Sequence, residues 1–396
     1  MNAINRIENV SVIGTGTMGR EIAQVVLMGG YNVSIYDKNQ DAIEKAKEFI
    51  INNLKRLEKK NNLPKDLSID VINNKLHIVD KLEKAVEQCD LLIEAIPEIM
   101  ELKQELFKQI SEICKEDTIL ASNTSNMPVT EIALKARNPE RIIGMHFFTP
   151  IVVLTAIELI KGQKTSEKTM RIGESFAQSL PCLRGERYII RIEKETPGFI
   201  VNRITGASSI YFSWLLQEAQ KKGIPYERID ADVVAMQGGG LGPLAKYDIL
   251  GLDVIYHSFK YYAENLSKDF IPPNILENLV NKGHLGKKTR KGFYEWTDEG
   301  KPKGDFSKKA NLFDPELYMA IQLNEGCRLL EEGVVDSYKE IDKAIIAAMS
   351  MPGPFSAGKR HYEKWADILE KFAEESDLLY LKPCKMLKSG RFLEMK

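Results

Sequence analysis

The glycines at 14, 16 and 19 stand directly between a short apolar run, SVIG, and a run with helical spacing, GREIAQVVLMGG. A chain turns that tightly from strand into helix only where side chains are missing, and a helix start left bare in this way is a seat for phosphate. Thr17 and Met18 lie inside the same bend and belong to the candidate seat. The pattern then repeats its alternation. NVSIYD, LHIVD, DLLIEAIP, TILASNTS, RIIGMHFF and TAIELI are strand-like, and between them run helical stretches such as NQDAIEKAKEFIINNLKRLEKKNN, ELKQELFKQISEIC and EKTMRIGESFAQSL. Strands alternating with helices predict a parallel sheet, so the fold class expected is α/β: a Rossmann-type doubly wound sheet domain over residues 1–193.

After RYIIRIEKETPGF the strand signal stops and long helical segments follow. Two all-α domains related by internal duplication are expected, over 194–296 and 311–396. The order of paired residues supports the duplication: Glu218 and Ala219, Gly223 and Ile224, Ile229 and Asp230, Gly242 and Pro243 recur as Glu325 and Gly326, Gly333 and Val334, Ile341 and Asp342, Gly353 and Pro354. The polar stretch TDEGKPKGDFSKKAN between the copies reads as a surface linker.

A G-x-G-x-x-G bend by itself is also an ordinary turn; Asp37 changes the reading. It ends the second strand, where a carboxylate would accept hydrogen bonds from the adenosine ribose hydroxyls and repel the 2′-phosphate of NADP, so NAD is the cofactor expected. The bland alternative for Asp37 is a helix cap for QDAIEKA. Charge gives no global reason to expect nucleic acid or an anionic membrane as partner, since 55 basic against 56 acidic residues leave a net charge of -1. Cys89, Cys114, Cys182, Cys327 and Cys384 show no short paired spacing, which argues against a disulfide framework and against a structural metal site. A reducing, cytoplasmic compartment is expected, and no targeting or membrane-spanning run stands out.

The motifs SVIGTGTMGREIAQ, LLIEAIPE, ASNTSNMPVT, GMHFFTP, ETPGFIVNRI, GLGPLAKYDILGLDVI and GHLGKKTRKGFYEW follow one another in an order and spacing that resembles the L-3-hydroxyacyl-CoA dehydrogenase family. The last hundred residues resemble a second copy of the helical domain found in longer relatives. The resemblance implies reversible hydride transfer between the C3 hydroxyl of an (S)-3-hydroxyacyl-CoA and NAD. It places a general base at His146, its carboxylate partner at Glu158, a hydroxyl near the substrate oxygen at Ser125 and an amide at Asn202. Glu94 and Lys103 match positions near the nicotinamide half of the cofactor, and Lys60 a position near the CoA nucleotide. On the residues alone, His146 also reads as a core histidine, Glu94 and Lys103 as a helix-start salt bridge, and Lys60 as a solvated helix end.

The chain departs from the family at Thr149, where asparagine is usual, and in IVVLTAIE, which lacks the usual proline and methionine–lysine pair. This puts substrate hold in question without touching the four residues assigned to chemistry. An acyl-CoA substrate is expected, short-chain such as 3-hydroxybutyryl-CoA in the first instance. The alternatives are a dehydrogenase of a free hydroxy acid and a non-catalytic NAD- or CoA-binding scaffold. Enoyl-CoA hydratase and thiolase are the expected pathway neighbours. A monomer closed by an internal pseudo-dimer is expected, with a homodimer through another surface as the alternative.

Overall fold

A strand covered by helices on both faces is buried along its whole length, as the central segments LLIE, ILAS and IIGMHF are, whereas NVSIY and LHI alternate. The computed structural model describes residues 7–64 and 67–395; residues 1–6 and 396, at the ends of two expected domains, lie outside the described residues. Among the described residues eight strands form one sheet: β1 (Asn9–Ile13), β2 (Asn32–Tyr36), β3 (Leu76–Ile78), β4 (Leu91–Glu94), β5 (Ile119–Ser122), β6 (Ile142–Phe147), β7 (Ala156–Lys161) and β8 (Tyr188–Ile192). Their order across the sheet is β3-β2-β1-β4-β5-β6-β7-β8. The core runs through Val10, Val12, Ile35, Leu91, Ile93, Ile143 and Leu159, with the helices on the faces contributing Ile22, Val26, Leu54 and Met170.

All neighbours pair in parallel except β6 and β7, which are antiparallel. The physical reason is the connection. Parallel neighbours need a crossover of about a dozen residues or more, and the segment from Phe148 to Thr155 is too short to make one. The hairpin that results sets His146 directly opposite Glu158.

Helix α1 (Thr17–Met28) begins at Gly16 without a side-chain cap, and α2 (Gln40–Lys59) begins at Asn39, whose side chain accepts from the Asp41 N–H. The bland alternative for Asp37 therefore falls to Asn39, which is the cap. The chain divides into two compact units, one of residues 1–199 with 342–353, the other of 200–341 with 354–396. The second is helical as expected, built on helices such as Val201–Lys221, Leu252–Asn265, Pro315–Glu331 and Tyr362–Ser376, with isolated β-bridges at Gly286, Lys291 and Trp296.

Candidate functional site

The bend between β1 and α1 has the shape the three glycines suggested. Gly14 holds φ at +92°, and a Cβ there would come within 2.6 Å of the Ala95 carbonyl oxygen. A Cβ on Gly19 would fall 1.8 Å from the Gly14 oxygen, whereas one on Gly16 would meet nothing within 4 Å. So Gly14 lets the bend lie against the chain just after β4, Gly19 lets the helix lie against the bend, and Gly16 leaves open space at a helix start. That is the cradle a pyrophosphate needs. Thr17 and Met18 are the first residues of α1. Asp37 sits just past β2 and accepts from the Thr15 N–H at 2.8 Å and the Asn39 N–H at 2.9 Å, which fixes its carboxylate beside the bend. The residues present therefore fit NAD.

His146 is 4% exposed and Glu158 is fully buried. His146 Nδ1 lies 2.7 Å from Glu158 Oε2, so the carboxylate fixes the tautomer and leaves Nε2 for a ligand. The Phe148 ring packs on the imidazole with centroids 4.4 Å apart, and Phe199 lies 6.0 Å away. The neighbouring N–H of Phe147 donates to Asn123 Oδ1 at 3.0 Å, tying the histidine strand to the turn that carries Ser125. A buried histidine at the carboxyl end of its strand, with one nitrogen held by a buried carboxylate, stands where doubly wound sheets bind ligands.

The Ser125 turn rests on a second carboxylate, Glu98, which the sequence reading passed over. Its Oε1 accepts from Thr124 Oγ1 at 2.6 Å, from the Ser125 N–H at 2.9 Å and from the Asn126 N–H at 3.3 Å. Behind it lies Lys103, 1% exposed, whose Nζ is 2.7 Å from Glu94 and 3.1 Å from Glu98. Glu94 in turn accepts from Ser122 Oγ at 2.6 Å and the Ile96 N–H at 2.7 Å. Burial works against the Lys103 charge, but Glu94 and Glu98 outweigh it and hold the ammonium above its ordinary range. Burial likewise pushes the Glu98 carboxyl up, and Lys103 with the bonds from Thr124 and Ser125 overcomes it, leaving Glu98 below the ordinary carboxylate range. Glu94 and Lys103 thus form a buried ion cluster behind the Ser125 turn. The one signal for Glu98 was its place in EAIPE, four residues past Glu94 and at the head of a helix.

Lys60 is the exposed C-cap of α2, in a helix end already basic through Arg56 and Lys59. Asn202 belongs to the helical unit, in the first turn of the helix Val201–Lys221, where its main-chain oxygen accepts from Tyr262 Oη at 3.3 Å. Among the described residues no group of His, Cys, Asp and Glu side chains could hold a metal ion, and no helix is long and apolar enough to cross a membrane.

Known proteins give this geometry its context. Residues 9–182 match the model of the 3-hydroxyacyl-CoA dehydrogenase NAD binding domain, and residues 198–296 match the C-terminal domain of the same family. The chain is 33% identical over 294 residues to a 3-hydroxybutyryl-CoA dehydrogenase of Clostridioides difficile, covering 72% of this chain and 99% of that one. It shares 32% identity and a TM-score of 0.64 with the solved (S)-3-hydroxybutyryl-CoA dehydrogenase of Ralstonia eutropha, over 74% of this chain and 100% of that one. Over 98% of this chain and 99% of the other, the fold matches that of a 3-hydroxybutyryl-CoA dehydrogenase of Escherichia coli K12, at a TM-score of 0.79 and 24% identity. The sheet with its glycine bend and the helical segment after it are therefore those of an NAD-dependent oxidoreductase, and the chain belongs to the 3-hydroxyacyl-CoA dehydrogenase family.

Proposed function

We propose that His146 is the proton-transfer group of this dehydrogenase, with Glu158 as its orienting partner, and that the substrates are short-chain (S)-3-hydroxyacyl-CoA thioesters. The observation that carries the reading is the 2.7 Å contact from Glu158 to Nδ1, which leaves Nε2 to take the C3 hydroxyl proton during oxidation. Glu158 stabilises the imidazolium that forms and does not itself attack. The glycine bend and Asp37 would hold NAD, which would accept the hydride. Ser125, on the turn fixed by Glu98, is the hydroxyl that meets the substrate oxygen, and Asn202 is the amide that the family pattern assigns. Glu94 and Lys103 are assigned to the nicotinamide side of the cofactor, and Lys103 also supports Glu98 beneath the Ser125 turn. The Lys60 ammonium is the group assigned to a phosphate of the CoA nucleotide, as a point charge.

Rates across an acyl-CoA series test the chain length, with acetoacetyl-CoA expected to be a good oxidant of NADH. Free acetoacetate is the control. Turnover of the free acid at a rate matching its thioester would move the reading to a hydroxy-acid dehydrogenase, and absence of turnover with any acyl-CoA would leave a scaffold.

We infer further that the helical segments on either side of the linker are repeats, and that their packing closes an internal pseudo-dimer. Both first helices end in the same way: Gly223 at φ +62° with the Ile224 N–H on the Ala219 oxygen at 2.8 Å, and Gly333 at φ +66° with the Val334 N–H on the Leu329 oxygen at 3.0 Å. A Cβ on Gly242 would meet Asp230 Cγ at 2.3 Å, and one on Gly353 would meet Asp342 Cγ at 2.3 Å. The pairing of Glu218 with Glu325 falls out of this register. Glu325 instead pairs, buried, with Arg203, while Glu218 is partly exposed beside Lys221. Light scattering on the intact protein and on a chain ending near Lys309 tests the inference. The shorter chain should dimerise or aggregate, and a monodisperse, fully active short monomer would refute it.

A further inference from the structure

The departure at Thr149 falls in the turn that joins the base to its carboxylate, and the structure shows what holds that turn. Thr149 Oγ1 donates to the Glu21 carboxylate, at 3.0 Å from each oxygen, and the Ile151 N–H donates to Glu21 Oε2 at 2.9 Å. On the other side Arg187, 4% exposed, gives its guanidinium to main-chain carbonyls: Ile151 at 2.9 Å, Leu154 at 2.7 Å, Leu180 at 3.1 Å and Pro181 at 2.6 Å. The turn is gripped through its donors by a carboxylate and through its acceptors by a cation.

Glu21 lies in α1, in the turn of helix that follows Gly16 and Gly19. One rigid element therefore carries the phosphate seat and the group that holds the catalytic turn. From Thr149 the path to the base is a single residue: Phe148, whose ring packs on His146. The Thr149 hydroxyl proton is committed to Glu21, so this side chain steadies the turn instead of donating to a substrate.

We propose that Glu21, acting through Thr149, is a positioning residue for hydride transfer that fixes the His146–Glu158 hairpin against the helix seating NAD. This rests on His146 being the base. Alignment of this kind is expressed in the chemical step, because misplacing a reacting group by about 1 Å costs up to roughly 10²-fold in rate. Glu21 is half-buried and Thr149 exposed, so replacing either leaves the sheet and its core untouched.

The test is single-turnover oxidation of enzyme-bound NADH by saturating acetoacetyl-CoA, followed by loss of NADH absorbance in stopped flow. The rate constant reads the chemical step in each folded site, and the amplitude reads how many sites are folded. Glu21→Ala and Thr149→Val are expected to lower the rate constant roughly 3- to 30-fold at full amplitude and with NADH affinity unchanged. Thr149→Ser, which keeps the hydroxyl, should stay within about twofold of wild type, and the double variant Glu21→Ala with Thr149→Val should be no slower than the slower single one, since both break one contact. Unchanged rate constants in both single variants, with or without lost amplitude, would overturn the proposal by showing a merely structural contact. Multiplying losses in the double variant would overturn it too, by separating the two residues. A wild-type protein that does not oxidise NADH at all would instead sink the assignment of function.

Discussion

The two turns at the carboxyl edge of the sheet, after β5 and after β6, do the same job by opposite means. The Ser125 turn is held by Glu98, which leans on a cluster taken out of water: Lys103 and Glu94 are 1% and 0% exposed. The 149–154 turn is held by Glu21 at the surface and by Arg187, a buried cation that bonds carbonyls. A buried ion cluster is costly to disturb, since removing one partner strands the other charge. A half-exposed carboxylate on a hydroxyl is cheap to alter, and its loss shifts a turn without threatening the fold. The first arrangement suits a group that must not move; the second suits a place where sequence can vary.

The largest effect that would break this comparison is Lys103→Met. It leaves Glu94 buried and unpaired beside Glu98, and is expected to cost about 3–5 kcal/mol of stability in chemical denaturation. A loss under about 1 kcal/mol would mean that the cluster is not the rigid support described. Arg187→Met comes next. It frees buried carbonyls of the second turn, at about 1–3 kcal/mol for the groups left without donors. Because Arg187 bonds the Ile151 and Leu154 carbonyls, any loss of activity should track the 149–154 turn.

Cofactor choice sharpens the comparison from the start of α1, where Asp37 accepts from the Thr15 N–H. NADH should be strongly preferred to NADPH, and Asp37→Ala should shift that preference partway, because the carboxylate that repels the 2′-phosphate is gone. Equal use of both cofactors by the unmodified protein would contradict the place given to Asp37.

The smallest effect is on pH. Glu98 is held below its ordinary value of 4.5, so the stability it contributes is full above that value and is lost as pH falls through its folded value. Lys103 is held above its ordinary 10.5, so its contribution is full below that value and is lost as pH rises beyond it. Glu98→Gln should flatten the acid limb of the stability profile and leave the neutral plateau level. An acid limb steeper than that of wild type would reverse the sign argued for Glu98.

Part of this geometry is legible in the sequence. Bends made by missing side chains leave glycines in the sequence, and the seat at Gly14, Gly16 and Gly19 took the expected form. His146 and Glu158 were joined by motif position, and the structure sets them opposite each other because their strands are too closely connected to run parallel. That antiparallel step was hidden in a pattern that otherwise reads as parallel. Glu21 was not legible, and Glu98 only as a helix-head carboxylate in EAIPE, for a different reason. Each acts by accepting main-chain and hydroxyl hydrogens from residues far along the chain, 128 positions in the case of Glu21 and Thr149, and no local spacing records such a contact. Arg187 gave no signal either, since a cation that bonds carbonyls has no acidic partner to be found with.

Steady-state oxidation of NADH by acetoacetyl-CoA in wild type, His146→Gln and Glu158→Gln, with NADH binding measured alongside, tests the central assignment most directly. His146→Gln should bind NADH as wild type does and turn over roughly 10²- to 10⁴-fold more slowly, and Glu158→Gln should also fall because a neutral amide cannot stabilise the imidazolium. Wild-type rates in both variants would contradict the account and return His146 to the core of the sheet.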